Sequence, residues 1–489
     1  MLLRPGETCW RIERADRVAV IVDAADYFAA VRSAMMQARH SIVLVGWDFD
    51  TRIMLAHDDD GSAPRRLGRF LSWLVDTRPG LRIHMLKWDL GTLKAVGRGT
   101  TPLFILDWIT DKRIAFRLDG AHPTSSAHHQ KVVVIDDAVA FCGGIDMTAD
   151  RWDTSEHLDD DPRRRRPTTG RRYPPWHDAT TAVDGAAARA LGDLARDRWK
   201  RATGEDLPEP AVGSDIWPEG LKPTFENVDV GLSRTFPPFG DATGVHEIEA
   251  LYLAAIAAAR RTIYIESQYF ASRKIAEAMA ARLREPDGPE IVVINPEVAD
   301  GWLEEAVMGS SRARLLRVIG AADAAGRFRM YTPVTSGGNP IYVHAKIMLV
   351  DDRLLRVGSS NLNNRSMGFD TECDLSLEAG PDDRDVAAGI LALRDRLLAE
   401  HLGVSSADIA AAMAKAGGAL IPAIEALRSG GRSLKPFDPP DVPDLAEEAM
   451  GENELLDPER PARQWWRLRR LWRAVVPWAG RHLPSARRT

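Results

Sequence analysis

A chain of 489 residues with 45% apolar and 27% charged content reads as a folded globular protein with room for two or three domains' worth of core. Its net charge of −6 is uneven: residues 458–489 hold nine Arg and one Glu, so the tail carries +8 and the remainder −14, and an acidic body disfavours nonspecific nucleic-acid binding. No run of about 18 apolar residues spans a membrane and no signal-peptide pattern opens the chain. Cys9, Cys142 and Cys373, at no metal-like spacing, point to reduced thiols and a cytoplasmic protein.

In chain order, residues 18–46 predict strand, helix (25–38) and strand. An amphipathic helix follows over 67–76, then a strand over 81–86 after the Pro79-Gly80 break, and further strands near 113–118, 131–135 and 139–142. The charged stretch 158–176 has no periodicity. Helix 185–201 completes a first lobe (1–206), and a Pro-rich linker (207–224) leads to a second (225–430). There the order repeats: helix 246–260, strand 262–267, helix 273–284, strand 290–294, helix 302–322 and strand 327–331. Helices near 384–401 and 405–428 close the lobe. Residues 431–460, rich in Pro and acid, are expected to be irregular. In 461–489, Trp465, Leu468, Trp472, Val475 and Val476 share one helical face, and Arg463, Arg467, Arg470 and Arg473 fall largely on the other. That basic, Trp-rich amphipathic pattern suits a helix lying in a membrane interface, or one packed on the acidic body. Alternating strands and helices predict an α/β fold of two pseudo-symmetric lobes, each a mostly parallel sheet flanked by helices.

One spacing occurs twice. His129-x-Lys131-x4-Asp136 lies in HHQKVVVID, and His344-x-Lys346-x4-Asp351 lies in VHAKIMLVD. His and Lys two apart on a strand share a face. Gly143 and Gly358 each follow the motif His by fourteen residues, which aligns Asp146 with Asn361. Upstream, ARHSIVLVGWDF (38–49) aligns with ARRTIYIESQYF (259–270), so the repeat is a duplicated domain. Two facing copies make a pocket of two His and two Lys, suited to a phosphodiester anion. One neutral His attacks phosphorus, the other protonates the leaving alcohol, and Lys131 and Lys346 neutralise charge. This chemistry needs no metal and no cofactor, and no cluster of metal ligands is visible in the sequence.

These segments resemble the phospholipase D superfamily, whose signature is the duplicated motif, and within it the eukaryotic-type enzymes. SSAHHQKVVVIDDAVAFCGGIDMTADRWDTSEH (125–157), YPPWHDATTAVDG (173–185), TIYIESQYF (262–270) and IYVHAKIMLVDDRLLRVGSSNLNNRSMGFDTE (341–372) carry the likeness across residues 40–380. Ser267 replaces the family's usual Asn, and nothing resembles the amino-terminal lipid-binding or calcium-binding modules of the eukaryotic enzymes. The resemblance implies an active site at the lobe interface and cleavage of the distal phosphodiester of glycerophospholipids through a phosphohistidine, with transfer to alcohols. It implies His129 as nucleophile and His344 as acid and base. Phosphatidyl transfer of the cardiolipin- or phosphatidylserine-synthase kind, or cleavage of nucleic acid or another soluble diester, are the alternatives. Partners are expected to be a phospholipid at the inner membrane surface and no nucleic acid, with both half-sites in one monomer.

Each imidazole needs a carboxylate to set its tautomer. Within each lobe the candidates are Glu372 for His344 and Asp178 for His129. Asp136 and Asp351 complete the catalytic motifs but stand five residues past the Lys, where they read as turn residues. Candidate substrate-binding residues are Asn361, Ser360, Gln268, Tyr269, Asp146 and Trp47. His128 faces away from His129 and reads as structural, His157 as a residue of the pocket mouth, Arg163–Arg166 as a solvated rim, and Cys142 as packing.

Overall fold

The computed structural model describes residues 1–58, 61–89, 111–124, 126–211, 215–298, 309–438 and residue 457. The first lobe runs β1 (Arg11–Val22), α1 (Ala24–Gln37), β2 (Ser41–Gly46), α2 (Leu67–Thr77), β3 (Arg82–Trp88), β4 (Ile114–Asp119), β5 (Val132–Ile135), β6 (Val139–Gly143), β7 (Trp176–His177), β8 (Ala179–Asp184) and α3 (Gly185–Thr203). The second opens with β9 (Phe225–Phe236), β10 (Val245–His246), α4 (Glu247–Ala258), β11 (Thr262–Glu266), α5 (Arg273–Leu283), β12 (Glu290–Ile294), α6 (Ser310–Ala322) and β13 (Phe328–Val334). It continues with β14 (Tyr342–Val343), β15 (Ile347–Val350), β16 (Leu354–Gly358), α7 (Asn364–Gly368), β17 (Glu372–Glu378), α8 (Arg384–Leu402), α9 (Ser406–Lys415), α10 (Leu420–Leu427) and β18 (Ser433–Pro436).

All but β7 and β14 join one sheet, ordered β18-β13-β12-β11-β15-β16-β17-β9-β1-β8-β6-β5-β2-β3-β4, with β10 on β9. β1 and β9 are the antiparallel pair at its centre. Counting outward from them, β8, β6, β5, β2, β3 and β4 match β17, β16, β15, β11, β12 and β13, so the sequence repeat is a two-fold in the sheet. Its motif strands and their neighbours are buried on both faces. In β5, Val132 and Val134 join a core formed with α3 and α8–α10, while Val133 and Ile135 join the core under α1 and α2. The second lobe's other face packs under α4–α6.

The α/β class with two lobes matches the sequence reading, but the strand directions are mixed. Only β2–β3, β3–β4, β11–β12 and β12–β13 pair parallel within this sheet. The three-residue turns of β5–β6 and β15–β16 leave no room for a crossover and force antiparallel pairing. Three further differences are local. β9, a 12-residue strand, carries too many charges at its start to read as one. β18 forms inside the segment expected to be irregular, pairing with β13. The helix expected over 405–428 is two, broken where Gly417 and Gly418 take φ of 63° and 86°. Part of the 302–322 helix, most of 431–460 and the whole 461–489 tail lie outside the described residues.

Asp136 and Asp351 occupy those three-residue turns with φ of 51° and 53°. Asp136 accepts from the backbone N–H groups of Arg39, His40 and Ser41 at 2.7, 2.8 and 2.7 Å. Asp351 accepts from Arg260, Arg261 and Thr262 at 2.9, 2.8 and 2.8 Å. Each fastens the exit of a helix to the strand beside its motif, so the third motif residue builds the site without entering it. Asp136→Ala strands three N–H groups and is expected to cost about 2–4 kcal/mol. Asp136→Asn, which keeps one acceptor and tolerates left-handed backbone, is expected to cost less; urea unfolding of both variants checks the order.

Candidate active site

The segments that precede the two motif strands cross between lobes. Residues 127–129 pair with 371: Thr371 N donates to Ala127 O at 2.9 Å and His129 N to Thr371 O at 3.0 Å. By the pseudo-two-fold, β14 pairs with β7, and His344 N donates to His177 O at 2.7 Å. Each motif His is thereby laid beside the carboxylate that opens the other lobe's strand. His129 Nδ1 lies 3.0 Å from both oxygens of Glu372, and His344 Nδ1 lies 2.6 Å from Asp178 Oδ2. The expected pairing within each lobe is thus corrected to a crossed one. Sequence proximity pointed the wrong way because the crossing is made by tertiary strand pairing.

With each Nδ1 held by a carboxylate, Nε2 is the atom left for substrate. Lys131 and Lys346 each reach back to the carbonyl of their own motif His. Lys131 Nζ also meets Asp146 Oδ2 at 3.1 Å, and Lys346 Nζ meets Gln268 Oε1 at 3.3 Å. The four side chains share one pocket: each imidazole is pushed well below its ordinary range, first by burial and then by both ammonium groups. Burial, ahead of the neighbouring charges, also brings Lys346 down to about 7. The same burial raises Glu372 and Asp178. Of these, the imidazoles and Lys346, held toward their neutral forms, are poised to take up a proton when an anion enters.

The remaining candidates divide. Asn361 Oδ1, an acceptor, is buried without a hydrogen-bond partner among the described residues, and the Nδ2 group of the same amide is the part that can donate to a ligand oxygen. Its counterpart Asp146 is committed to Lys131 and to the backbone N–H of Trp47 at 3.0 Å. Gln268 Nε2 donates to the hydroxyls of Tyr269 and Tyr342, both at 3.0 Å. The Trp47 ring stacks on Trp88 with centroids 5.9 Å apart. Ser360 does not face the pocket: its hydroxyl donates to Asp374 Oδ2 at 2.6 Å beneath Arg356. The neighbouring Ser359 is the one that touches the site, donating to Glu372 with Ser366. His157 is not at the mouth but buried among Asp23, Asp153 and Glu400. His128 lies against Asp119, Thr371 and Arg198.

Two features escaped the sequence reading. Arg151, buried at 5% exposure, stacks 4.3 Å from the Trp176 ring and adds positive charge at His344 and Lys346. It opens the RWDT segment, which was its available signal. Gly144 matches Ser359 in the repeat, and a Cβ there would sit 2.3 Å from Asp178 Oδ1, so one half clears space for its carboxylate where the other binds it.

The molecule is thus a duplicated α/β fold with one cationic pocket on its dyad. Residues 110–212 match the family model described as Phospholipase D, and residues 252–388 the one described as Cardiolipin synthase, PLD-like domain. The chain belongs to the phospholipase D superfamily. Phospholipase D A of Dictyostelium discoideum is 25% identical over 469 residues, covering 81% of this chain and 36% of that protein. Phospholipase D alpha 4 of Arabidopsis thaliana is 24% identical over 489 residues, covering 78% and 64%. The chain therefore spans only about a third to two thirds of the length of these relatives. Among solved structures, phosphatidylserine synthase of Haemophilus influenzae shares the fold with a TM-score of 0.52 at 12% identity, over 79% of this chain and 88% of that one.

Proposed function

We propose that this chain is a phospholipase D-type phosphodiesterase that releases phosphatidic acid and a free alcohol from glycerophospholipids. The observation that carries the reading is the pair of imidazoles fixed through Nδ1 by opposite lobes beside two buried lysines. His129 Nε2 attacks phosphorus, and His344 gives a proton to the leaving alkoxide. The product is phosphatidyl-His129 and the free alcohol. His344 then takes a proton from water, whose oxygen displaces His129 and completes phosphatidic acid. Lys131, Lys346 and Arg151 counter the diester's charge, and the Asn361 amide donates to a phosphoryl oxygen. The two catalytic steps use side chains of this chain alone.

A phosphatidyltransferase is the second reading, because the second-lobe match is to a model described as Cardiolipin synthase, PLD-like domain. An alcohol in place of water reaches it through the same intermediate. The test is incubation of the pure chain with labelled phosphatidylcholine, phosphatidylglycerol and single-stranded DNA, with and without ethanol. Phosphatidic acid, and phosphatidylethanol when ethanol is present, are expected. Cleavage of DNA alone overturns the lipid reading.

Lys346 must carry its proton to meet the anion, and in the free protein it loses it near pH 7. So kcat/KM is expected to fall as pH rises through about 7, a limb that adds to the decline from His344, whose proton is held less firmly in the free protein. The limb in kcat should lie higher, since a bound anion raises the lysine again. Lys346→Arg keeps its charge throughout and should remove the limb, at reduced rate. Rate profiles from pH 5 to 9 decide.

The tail at 461–489 is proposed to lie in the membrane interface, bringing the pocket to the inner membrane surface. No helix among the described residues is long and apolar enough to cross a membrane. Its removal should leave turnover of a soluble short-chain diester within about twofold and lower turnover on anionic vesicles severalfold, with salt weakening the wild type on vesicles. Equal loss on both substrates would place the tail in the core.

A further inference from the structure

Behind His344 lies a second group of converging side chains. Asp23, at the turn from β1 into α1, His157, in the loop after β6, His177 of β7 and Glu400 of α8 each present one ligand atom, all four within 4.8 Å of one another. Their side chains are at most 5% exposed. His157 Nε2 lies 3.2 Å from Glu400 Oε1 and 3.7 Å from Asp23 Oδ2. His177 Nδ1 lies 2.8 Å from Glu400 Oε1 and 3.4 Å from Asp23 Oδ1. A tetrahedral ion with bonds of about 2.0–2.1 Å sets neighbouring ligand atoms roughly 3.3–3.4 Å apart; the spacings from the two imidazoles to Glu400 Oε1 and to the Asp23 carboxylate bracket that value, His157 facing Asp23 Oδ2 and His177 facing Asp23 Oδ1. The 2.8 Å approach at His177 Nδ1 is not aligned as a hydrogen bond.

The far side of each imidazole is built to match. His157 Nδ1 meets Asp153 Oδ2 at 2.9 Å, and His177 Nε2 meets Glu266 Oε2 at 2.8 Å. Asp153 is held in turn by Arg164 at 3.0 and 3.1 Å and by the Trp176 N–H at 2.9 Å. Glu266 accepts from the Tyr264 hydroxyl at 2.6 Å and meets His401 Nε2 at 3.0 Å. An imidazole that donates one N–H to an anchored carboxylate turns the lone pair of its other nitrogen toward the cluster, which is the outer-shell pattern of metal-ligating histidine.

We propose that Asp23, His157, His177 and Glu400 bind one divalent ion of the zinc class through two nitrogens and two oxygens. The ion joins first-lobe residues to α8 of the second lobe. It also backs the site, since Asp178 N donates to Asp23 Oδ1 at 3.3 Å and His344 N to His177 O at 2.7 Å. It lies outside the phosphate pocket, no phosphoryl step passes through it, and the inference stands whatever the substrate.

The test is metal analysis of the full chain, purified without an affinity tag, given zinc and dialysed. About one zinc per chain is expected, with an absorption spectrum fitting nitrogen and oxygen ligands at about 2.0–2.1 Å. One equivalent of zinc added to stripped protein should raise Tm by several degrees. His157→Gln and Glu400→Gln should each abolish the bound zinc and the shift. Wild-type protein with less than a tenth of an equivalent and no shift would make the cluster a network of imidazolium–carboxylate pairs. Zinc retained by both variants, or fitted with sulfur ligands, would place it elsewhere; either result overturns the proposal.

Discussion

His129→Asn is expected to lower turnover by about 10^6-fold, the scale on which a nucleophile and its proton partner act as a unit, while Tm stays within a few degrees of wild type. His344→Asn is expected to cost at least about 10^4-fold on natural lipid. The two differ on a substrate whose leaving group needs no proton. With a nitrophenyl ester of phosphatidic acid, His344→Asn should still phosphorylate His129, then stall, because no group takes a proton from water. Acid quenching should trap label on His129 in that variant and none in His129→Asn. Label trapped on His344 in His129→Asn would exchange the two roles. More than a few percent of wild-type activity on natural lipid in either variant would overturn the two-histidine mechanism.

The second large effect belongs to the carboxylates, and it tests the crossing. Glu372→Gln and Asp178→Asn each leave an imidazole with a partner that no longer selects its tautomer, and each is expected to cost about 10^2–10^4-fold. Glu372 holds His129, the proposed nucleophile, so its variant should be slow with any leaving group. Asp178 holds His344, the proposed acid, so its variant should recover most of the first step with the nitrophenyl ester. A double-mutant cycle should find His129 coupled to Glu372 and additive with Asp178. The reverse pattern would mean that each lobe orients its own histidine.

The sequence exposed what is local and repeated. HxKxxxxD fixed β5 and β15, their His and Lys on one face, and the acidic residue in the turn that follows. The Ala-rich helix before each repeat strand was equally plain. What it hid was made by distant pairing. The crossed carboxylates depend on β7 meeting β14 and on residue 371 meeting 127–129, a contact no periodicity encodes. β9 was hidden by the polar residues Glu226, Asn227 and Asp229 at its exposed start, although its buried half pairs with β1 and β17. The choice between Ser359 and Ser360 turns on which alternating position faces Glu372. The four-residue cluster at Asp23, His157, His177 and Glu400 draws on points spread over most of the chain, so no spacing rule reaches it.

The crossing of residues 127–129 and 342–344 between lobes also bears on how such a protein can change over evolutionary time. Two identical copies of one lobe, docked about a dyad, would orient each other's histidines equally well, but any substitution would then appear in both halves. Joining the lobes in one polypeptide removes that constraint. Asp146 stands opposite Asn361, Gly144 opposite Ser359 and Trp47 opposite Gln268, three departures that a symmetric pair of single-lobe chains has no means of holding apart. Covalent fusion is what lets the two halves differ, as the proposed division between attack and proton handling requires, while each remains unable to orient its own histidine alone.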